Sequence, residues 1–550
     1  MDRRLRPLLL ASLCVLLPAA TGLSMTAQDR ALIRAGDDRD NWRLHGRTYD
    51  NQRFSPLTQI GPHNISRLEL VRTLHTGVAN SFEDTPLEVD GVLYIVTATN
   101  HVEAFDAATG NQLWAWQPDT LDYTEACCGP QARGVALAYG KVYTALFDGH
   151  LVALDAKTGK LVWETDPAQT HPEPKHYYTY TLAPQVYDGM VIVGTAGAEY
   201  ETRGLVEAYD AQTGRKIWDF RTTAAPDEPG GDSWGGSNAW KFGGGSVWNT
   251  PAVDVKNDLL VLSTGNPNPD YQGDSRPGAN AYTDSILALH AKTGKLAWWY
   301  QEVPHDLWYY DASAPVMLFN AKNAQGKTVP SAGEAGKVGN VFIVNRLTGA
   351  LLHKSEPFVT QSANILSVPN RRGVTLLPGV SGGSLWQPPA FSPRTGYYYV
   401  LGSNIPMTFT TIDFRDSKPG GPWVGRHTGG VMKRADGPQS GTLTAISVNS
   451  GKIVWQYRSP NPMFGGVLAT ASDLVFAGEM TGDFSAFDAR SGEKLWSHHF
   501  DHGVCSPPMT YRLNGVQYIA VGANGCRGGH VPLGTPLFSD EIAIFALHAP

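Results

Sequence analysis

The chain has 550 residues, 42% of them hydrophobic, and a formal net charge of −7. The charges are spread without long runs, which excludes the basic footprint of a nucleic-acid-binding protein. Abundant Gly (59), Pro (37) and Trp (15), with few long helical patterns, favour an all-β chain with many turns.

The N-terminus reads MDRRLRPLLLASLCVLLPAATGLSMTAQ. Arg3, Arg4 and Arg6 form a basic region, Leu8 to Leu17 is a short apolar run, and small and polar residues follow. This pattern predicts a cleaved secretory signal over residues 1–27 and a periplasmic mature protein. An uncleaved anchor is the competing reading, but the run is short for a bilayer. No later segment has the length or continuity of a membrane helix. Residues 28–550 are expected to form one large domain.

A repeat follows in chain order: AFDAATGNQLW (104–114), ALDAKTGKLVW (153–163), AYDAQTGRKIW (208–218), ALHAKTGKLAW (288–298), AISVNSGKIVW (445–455) and AFDARSGEKLW (486–496). Each has an apolar start, a polar turn with Gly, and Trp four residues after that Gly. FIVNRLTGALLH (342–353) keeps the turn and loses the Trp, and AFSPRTGYYYV (390–400) reads as a degenerate eighth copy. Short alternating runs around a turn make a β-hairpin, and Gly supplies the positive φ that such turns need. Intervals of about 40–80 residues suit one four-stranded blade each. The spacing predicts an eight-bladed β-propeller. The repeated Trp is expected to fill one packing slot between neighbouring blades rather than to touch a ligand. Binding chemistry in such a fold lies on one face, around the central channel.

Residues outside the repeat carry the functional signal. Cys127 and Cys128 are adjacent in EACCGP. An exported chain keeps disulfides. Neighbouring Cα atoms lie about 3.8 Å apart, against roughly 5.5–6 Å in ordinary disulfides. A bond between them closes a small strained ring, suited to act as a rigid plate against something flat. The other reading pairs each cysteine elsewhere. Cys505 and Cys526, the other cysteines beyond the signal, could pair with each other. GTAGAEYETRG (194–204) and STGNPNPDYQGD (263–274) offer Glu199 and Asn266 just after small-residue strand ends. Both are hard oxygen donors suited to Ca²⁺ or a similar cation, although each alone also reads as a turn cap. VPHDLWYYDAS (303–313) gathers His305, Asp306, Tyr309 and Asp311, and Lys337 stands at a strand entry in EAGKVGNVFIVNR (334–346). The histidine-rich HHFDH (498–502) is weak evidence for a metal and reads as a polar blade turn. The segment GGDSWGGSNAWKFGGGSVW lacks the Lys-Ser/Thr of a phosphate loop.

Together these marks resemble the pyrroloquinoline quinone (PQQ)-dependent alcohol dehydrogenases of the methanol and ethanol dehydrogenase type. The resemblance runs from about Asp40 to the C-terminus. It implies PQQ lying flat between a Cys127–Cys128 ring and the indole of Trp248. It implies further contacts from Glu83, Arg133, Thr181, Ala196, Gly197, Ala198 and Ser246, and hydrogen bonds from Lys337 to the quinone oxygens. Glu199 and Asn266 would ligate one Ca²⁺ or lanthanide ion that also touches PQQ. The cation would polarise the quinone carbonyl, and a base would remove the hydroxyl proton of an alcohol substrate.

Two departures from the family pattern matter. The family usually has Asp directly after the Trp of the PHDLW motif, as its candidate base. Here that position is Tyr309, whose ordinary pKa near 10 makes it a poor base. Asp311, two residues on, is therefore expected to serve as extra ligand or base, with Tyr309 as its hydrogen-bond partner. His305 and Asp306 are expected to be structural, as an orienting hydrogen-bond pair. Phe464 stands where many relatives carry Trp, so the apolar wall stays and an N–H donor is lost. No C-x-x-C-H occurs, so electrons are expected to pass to a soluble cytochrome c. Competing readings are a catalytically silent propeller acting as scaffold or sensor, and an outer-membrane assembly propeller.

Overall fold

The structure is a computed structural model, and it describes residues 27–119, 129–167, 178–197, 199, 202–412, 429–526 and 538–547. Residues 1–26, which make up all but the last residue of the expected signal, lie outside the described residues, as do Cys127, Cys128 and Ala198. One short α-helix, Ala27–Ile33, precedes a chain that is otherwise strand, turn and 3₁₀ helix among the described residues. Among them no helix is long and apolar enough to cross a membrane.

Seven repeat segments form the expected hairpins. Val102–Asp106 returns as Gln112–Trp116, Leu151–Asp155 as Leu161–Thr165, Leu205–Asp210 as Lys216–Arg221, and Ser285–His290 as Lys295–Gln301. Val341–Asn345 returns as Leu351–Lys354, Ser440–Ser447 as Ile453–Ser459, and Asp483–Asp488 as Lys494–His499. The turn chemistry explains why. Asp106 Oδ1 accepts the backbone N–H groups of Ala108 (3.0 Å) and Thr109 (2.7 Å) and the Thr109 hydroxyl (2.9 Å), an Asx-type turn. Gly110 then takes φ +81°, in the left-handed region. Asp155, Asp210 and Asp488 repeat the arrangement. Two preceding antiparallel strands complete a four-stranded sheet for each hairpin, and the last sheet also takes Phe54–Ser55 as a parallel fifth strand.

The repeated Trp links one hairpin to the next. The indole N–H of Trp114 donates to Ala156 O (3.1 Å), Trp163 to Ala211 O (3.2 Å), Trp218 to Ala291 O (3.0 Å), Trp298 to Arg346 O (3.0 Å) and Trp455 to Ala489 O (3.0 Å). Each acceptor holds the same turn position in its repeat. The turn glycine lets the indole approach: a Cβ on Gly294, at φ +67°, would lie 2.4 Å from Trp218 Cε3. Gly294→Ala combines a left-handed backbone penalty with overpacking against that ring. It is expected to destabilise the fold by about 2–4 kcal/mol, read as a lowered denaturation midpoint. His353, at the Trp position of the 342–353 segment, instead turns to Lys322 O within its own sheet (2.7 Å).

The eighth copy is not where the repeat placed it. Ala390–Ser392 and Tyr397–Asn404 are the first two strands of the sheet that 445–455 completes, so 390–400 is a different hairpin. The remaining sheet is assembled from both ends of the chain. Leu68–His75 pairs with Glu541–Leu547, which continues from Val516–Gly522 and Met509–Leu513. Arg72 takes the Trp place there, donating to Ala107 O (3.0 Å) and Ala108 O (2.6 Å) of the first hairpin. Trp496 donates to Leu68 O (3.1 Å) and joins the seventh hairpin to this split one. Among the described residues the result is eight sheets of four or five strands, plus a small three-stranded sheet from Val374–Leu376, Met407–Thr411 and Gly430–Arg434.

Cys505 and Cys526 form a buried disulfide with Cα atoms 5.5 Å apart. The histidine-rich segment is used for packing and pairing. His498 lies edge-on to Phe500 and Phe545, and His499 Nδ1 is 2.8 Å from Asp483.

Candidate active site

The non-repeating motifs meet on the connections between strands, around the half-buried indole of Trp248. Two buried cations lie over its ring: the Arg133 guanidinium at 5.1 Å and Lys337 Nζ at 5.9 Å from the centroid. Arg133 pairs with Glu83 (2.8 Å) and donates to Thr181 Oγ1 (2.6 Å), Gln131 Oε1 (2.9 Å) and Trp248 O (3.2 Å). Side-chain exposure of 6% for Arg133 and 2% for Glu83 makes this a desolvated ion pair. Burial pulls the Arg133 pKa down, and the Glu83 carboxylate opposes that pull.

Lys337 Nζ is 2.7 Å from Asp311 Oδ2, and Asp311 Oδ1 accepts the Asn266 backbone N–H (2.8 Å). The glycine of TGNP permits this closeness. A Cβ on Gly265 would lie 2.6 Å from Ser246 Oγ and 3.3 Å from Asp311 Oδ1. The Asn266 amide nitrogen donates to Asp270 Oδ1 (2.7 Å) and Pro267 O (3.0 Å), which leaves its Oδ1 as the atom available to a cation. Glu199 follows Ala196, whose N–H donates to Thr179 O (2.8 Å), and Gly197, at φ +83°.

Tyr309 does not pair with Asp311. Its hydroxyl donates to Glu199 Oε1 at 2.6 Å, and its ring lies 3.9 Å from Lys337 Nζ. The Tyr309 backbone has φ +63°, a rare state for a bulky residue that costs about 1–3 kcal/mol. Asp306 holds the turn around it, accepting the N–H groups of Trp308 and Tyr310, both at 2.9 Å. His305 and Asp306 are therefore structural, but not as a pair: His305 Nδ1 bonds Gly278 O instead (2.7 Å).

Burial dominates the electrostatics. It raises the Glu199 carboxyl above its ordinary range, against the Tyr309 hydrogen bond, and pushes Asp270 well up. Burial and the Glu199 and Asp311 carboxylates also raise the Tyr309 hydroxyl, so it is a neutral donor. Glu199 Oε2 is buried with no hydrogen-bond partner among the described residues. A buried carboxylate oxygen without a partner among the described residues, with the Asp311 carboxylate close enough to act on it electrostatically, is chemically suited to a hard cation. The half-buried indole and the two cations over it fit a flat polycarboxylate such as PQQ.

Three contributors carried no sequence signal of their own. Asp270 orients the Asn266 amide. The fully buried Arg276 donates to Pro269 O (3.0 Å) and Asp306 O (2.5 Å), tying the TGNP loop to the PHDLW loop. Trp386 stacks on Phe464 with centroids 5.3 Å apart and planes at 12°, and its indole N–H is unpartnered among the described residues. Phe464 thus keeps an aromatic wall, as its position predicts.

A family model described as the PQQ glucose/ethanol/alcohol dehydrogenase β-propeller domain matches residues 42–365 and 358–519. The chain belongs to this PQQ β-propeller family. It is 36% identical to the quinohemoprotein alcohol dehydrogenase ADH IIB of Pseudomonas putida, over 95% of this chain and 78% of that one. It is 31% identical to the quinoprotein alcohol dehydrogenase PedH of the same species, over 89% and 86% of the two chains. Among solved structures it superposes on the quinohemoprotein alcohol dehydrogenase ADHIIG of Pseudomonas putida with a TM-score of 0.87, at 31% identity and covering 95% and 82%. A europium-containing methanol dehydrogenase gives a TM-score of 0.85, at 28% identity and covering 94% and 100%.

Proposed function

We propose that the chain is a PQQ-dependent dehydrogenase that oxidises an alcohol or related hydroxyl compound to an aldehyde or ketone. Its eight sheets are read as eight blades of one propeller domain over residues 28–550, docked through the repeated Trp and closed by the split sheet. The observation that carries the reading is that two buried ion pairs, Arg133–Glu83 and Lys337–Asp311, bring their cations to one indole, that of Trp248. That arrangement recognises carboxylates on a flat ring and leaves charge at its reactive edge.

When bound, PQQ supplies an electrophilic quinone that accepts a hydride equivalent, with its carbonyl polarised by the cation. Arg133, Thr181, Ser246 and the Trp248 face hold the quinone, with Glu83 orienting the guanidinium. The family resemblance adds Cys127, Cys128, Ala196, Gly197 and Ala198 as further quinone contacts. Glu199 Oε2, Asn266 Oδ1 and Asp311 hold the metal, Ca²⁺ or a lanthanide. Asp311 accepts the substrate hydroxyl proton, and Lys337, 2.7 Å from its Oδ2, aims the carboxylate. Electrons leave to a separate cytochrome c in the periplasm.

The test is reconstitution of the purified mature chain with PQQ and either Ca²⁺ or La³⁺, following dye reduction over a panel of alcohols and bound-quinone absorbance. Metal-dependent quinone binding with turnover is expected. Binding without turnover across a broad panel would replace this reading by the silent propeller. Failure to bind quinone would overturn both.

A further inference from the structure

We infer that Tyr309 limits the coordination at the proposed metal site: its hydroxyl occupies Glu199 Oε1, so that Glu199 meets the cation through Oε2 alone. The inference rests on the PQQ–metal reading above. The two oxygens of Glu199 are not equivalent. Oε1 accepts a 2.6 Å hydrogen bond, whereas Oε2 is buried and has no hydrogen-bond partner among the described residues. An oxygen already engaged by a short hydrogen bond is a weaker metal donor, and both oxygens are needed for a bidentate carboxylate.

Tyr309 is held for this task from several sides. Its backbone stands at φ +63°, and such an outlier points to a constraint on where the side chain goes. Its ring is flanked by Lys337 Nζ at 3.9 Å and by the Tyr271 ring at 6.3 Å. A hydroxyl that donates to Glu199 Oε1 adds no carboxylate charge and no carboxylate oxygen to the site. An acidic residue there would add both and would leave Glu199 Oε1 open. Tyr309 is thus a positioning residue that acts through Glu199.

The test counts the waters that remain on the metal. The PQQ-loaded protein is charged with Eu³⁺, and luminescence decay is compared in H₂O and D₂O for the wild type, Tyr309→Phe and Tyr309→Asp. The Phe variant keeps the ring against Lys337 and removes only the hydroxyl. Freeing Oε1 lets Glu199 bind through both oxygens, so Tyr309→Phe is expected to lose about one metal-bound water. Tyr309→Asp is expected to lose at least as many and to raise Eu³⁺ over Ca²⁺ preference by roughly tenfold or more in a competition titration. Equal water counts in wild type and Tyr309→Phe would overturn the inference and leave the metal site standing. Absence of bound Eu³⁺ from the quinone-loaded wild type would overturn the inference and the metal reading together.

Discussion

Asp311→Asn is expected to lower kcat by roughly 10²- to 10⁴-fold while quinone absorbance shows the cofactor still bound. The size follows from what the substitution removes. Asn keeps the shape and an oxygen to accept the Asn266 N–H, but it has no basic oxygen for the substrate proton. Tyr309 cannot take over, because burial and two neighbouring carboxylates hold its hydroxyl protonated. The same substitution strands Lys337, whose side chain is only 4% exposed. Breaking a buried pair costs about 3–5 kcal/mol, so some stability is lost as well. The double variant Asp311→Asn with Lys337→Gln separates the two effects. It is expected to recover much of the stability and none of the turnover. Wild-type kcat in Asp311→Asn, measured by dye reduction, would remove Asp311 as the base.

Hairpins and motif loops were legible in the sequence because each is written in adjacent residues. The Asp-x-x-Thr-Gly turn, the Trp offset and the TGNP glycine all act locally, and the fold uses them as their chemistry dictates. The eighth sheet was not legible. Its third strand, Glu541–Leu547, and its fourth, Leu68–His75, lie at opposite ends of the chain, and Arg72 replaces the marker Trp. The 390–400 segment mimics the turn composition but joins the first two strands of a sheet. The site divides in the same way. Arg133, Glu199, Asn266, Asp311 and Lys337 come from short motifs and do converge. Their pairings depend on long-range packing: Tyr309 bonds Glu199, 110 positions away, rather than its neighbour Asp311. Asp270, Arg276 and Trp386 act through single contacts that leave no spacing to read.

The second large effect is expected at the other ion pair. Glu83→Gln leaves the Arg133 guanidinium buried without its carboxylate, and Arg133→Met takes the guanidinium away from the buried Glu83 carboxylate. Each should cost about 3–5 kcal/mol of stability, read from denaturant unfolding. Replacing both charges removes the uncompensated ion, and exchange of a buried pair for apolar groups is often close to neutral. The double variant Glu83→Gln, Arg133→Met is therefore expected to be more stable than either single variant, a coupling that a double-mutant cycle measures directly. Cofactor binding should behave differently. The guanidinium lies 5.1 Å from the Trp248 centroid, and in the proposed function it is the group offered to a quinone carboxylate. Loss of a charge-assisted bond worth about 3 kcal/mol weakens binding roughly 100-fold. That loss should appear in Arg133→Met and persist in the double variant, because restored stability does not restore the cation. A double variant that titrates PQQ like the wild type would show that the Arg133–Glu83 pair holds the fold and not the cofactor.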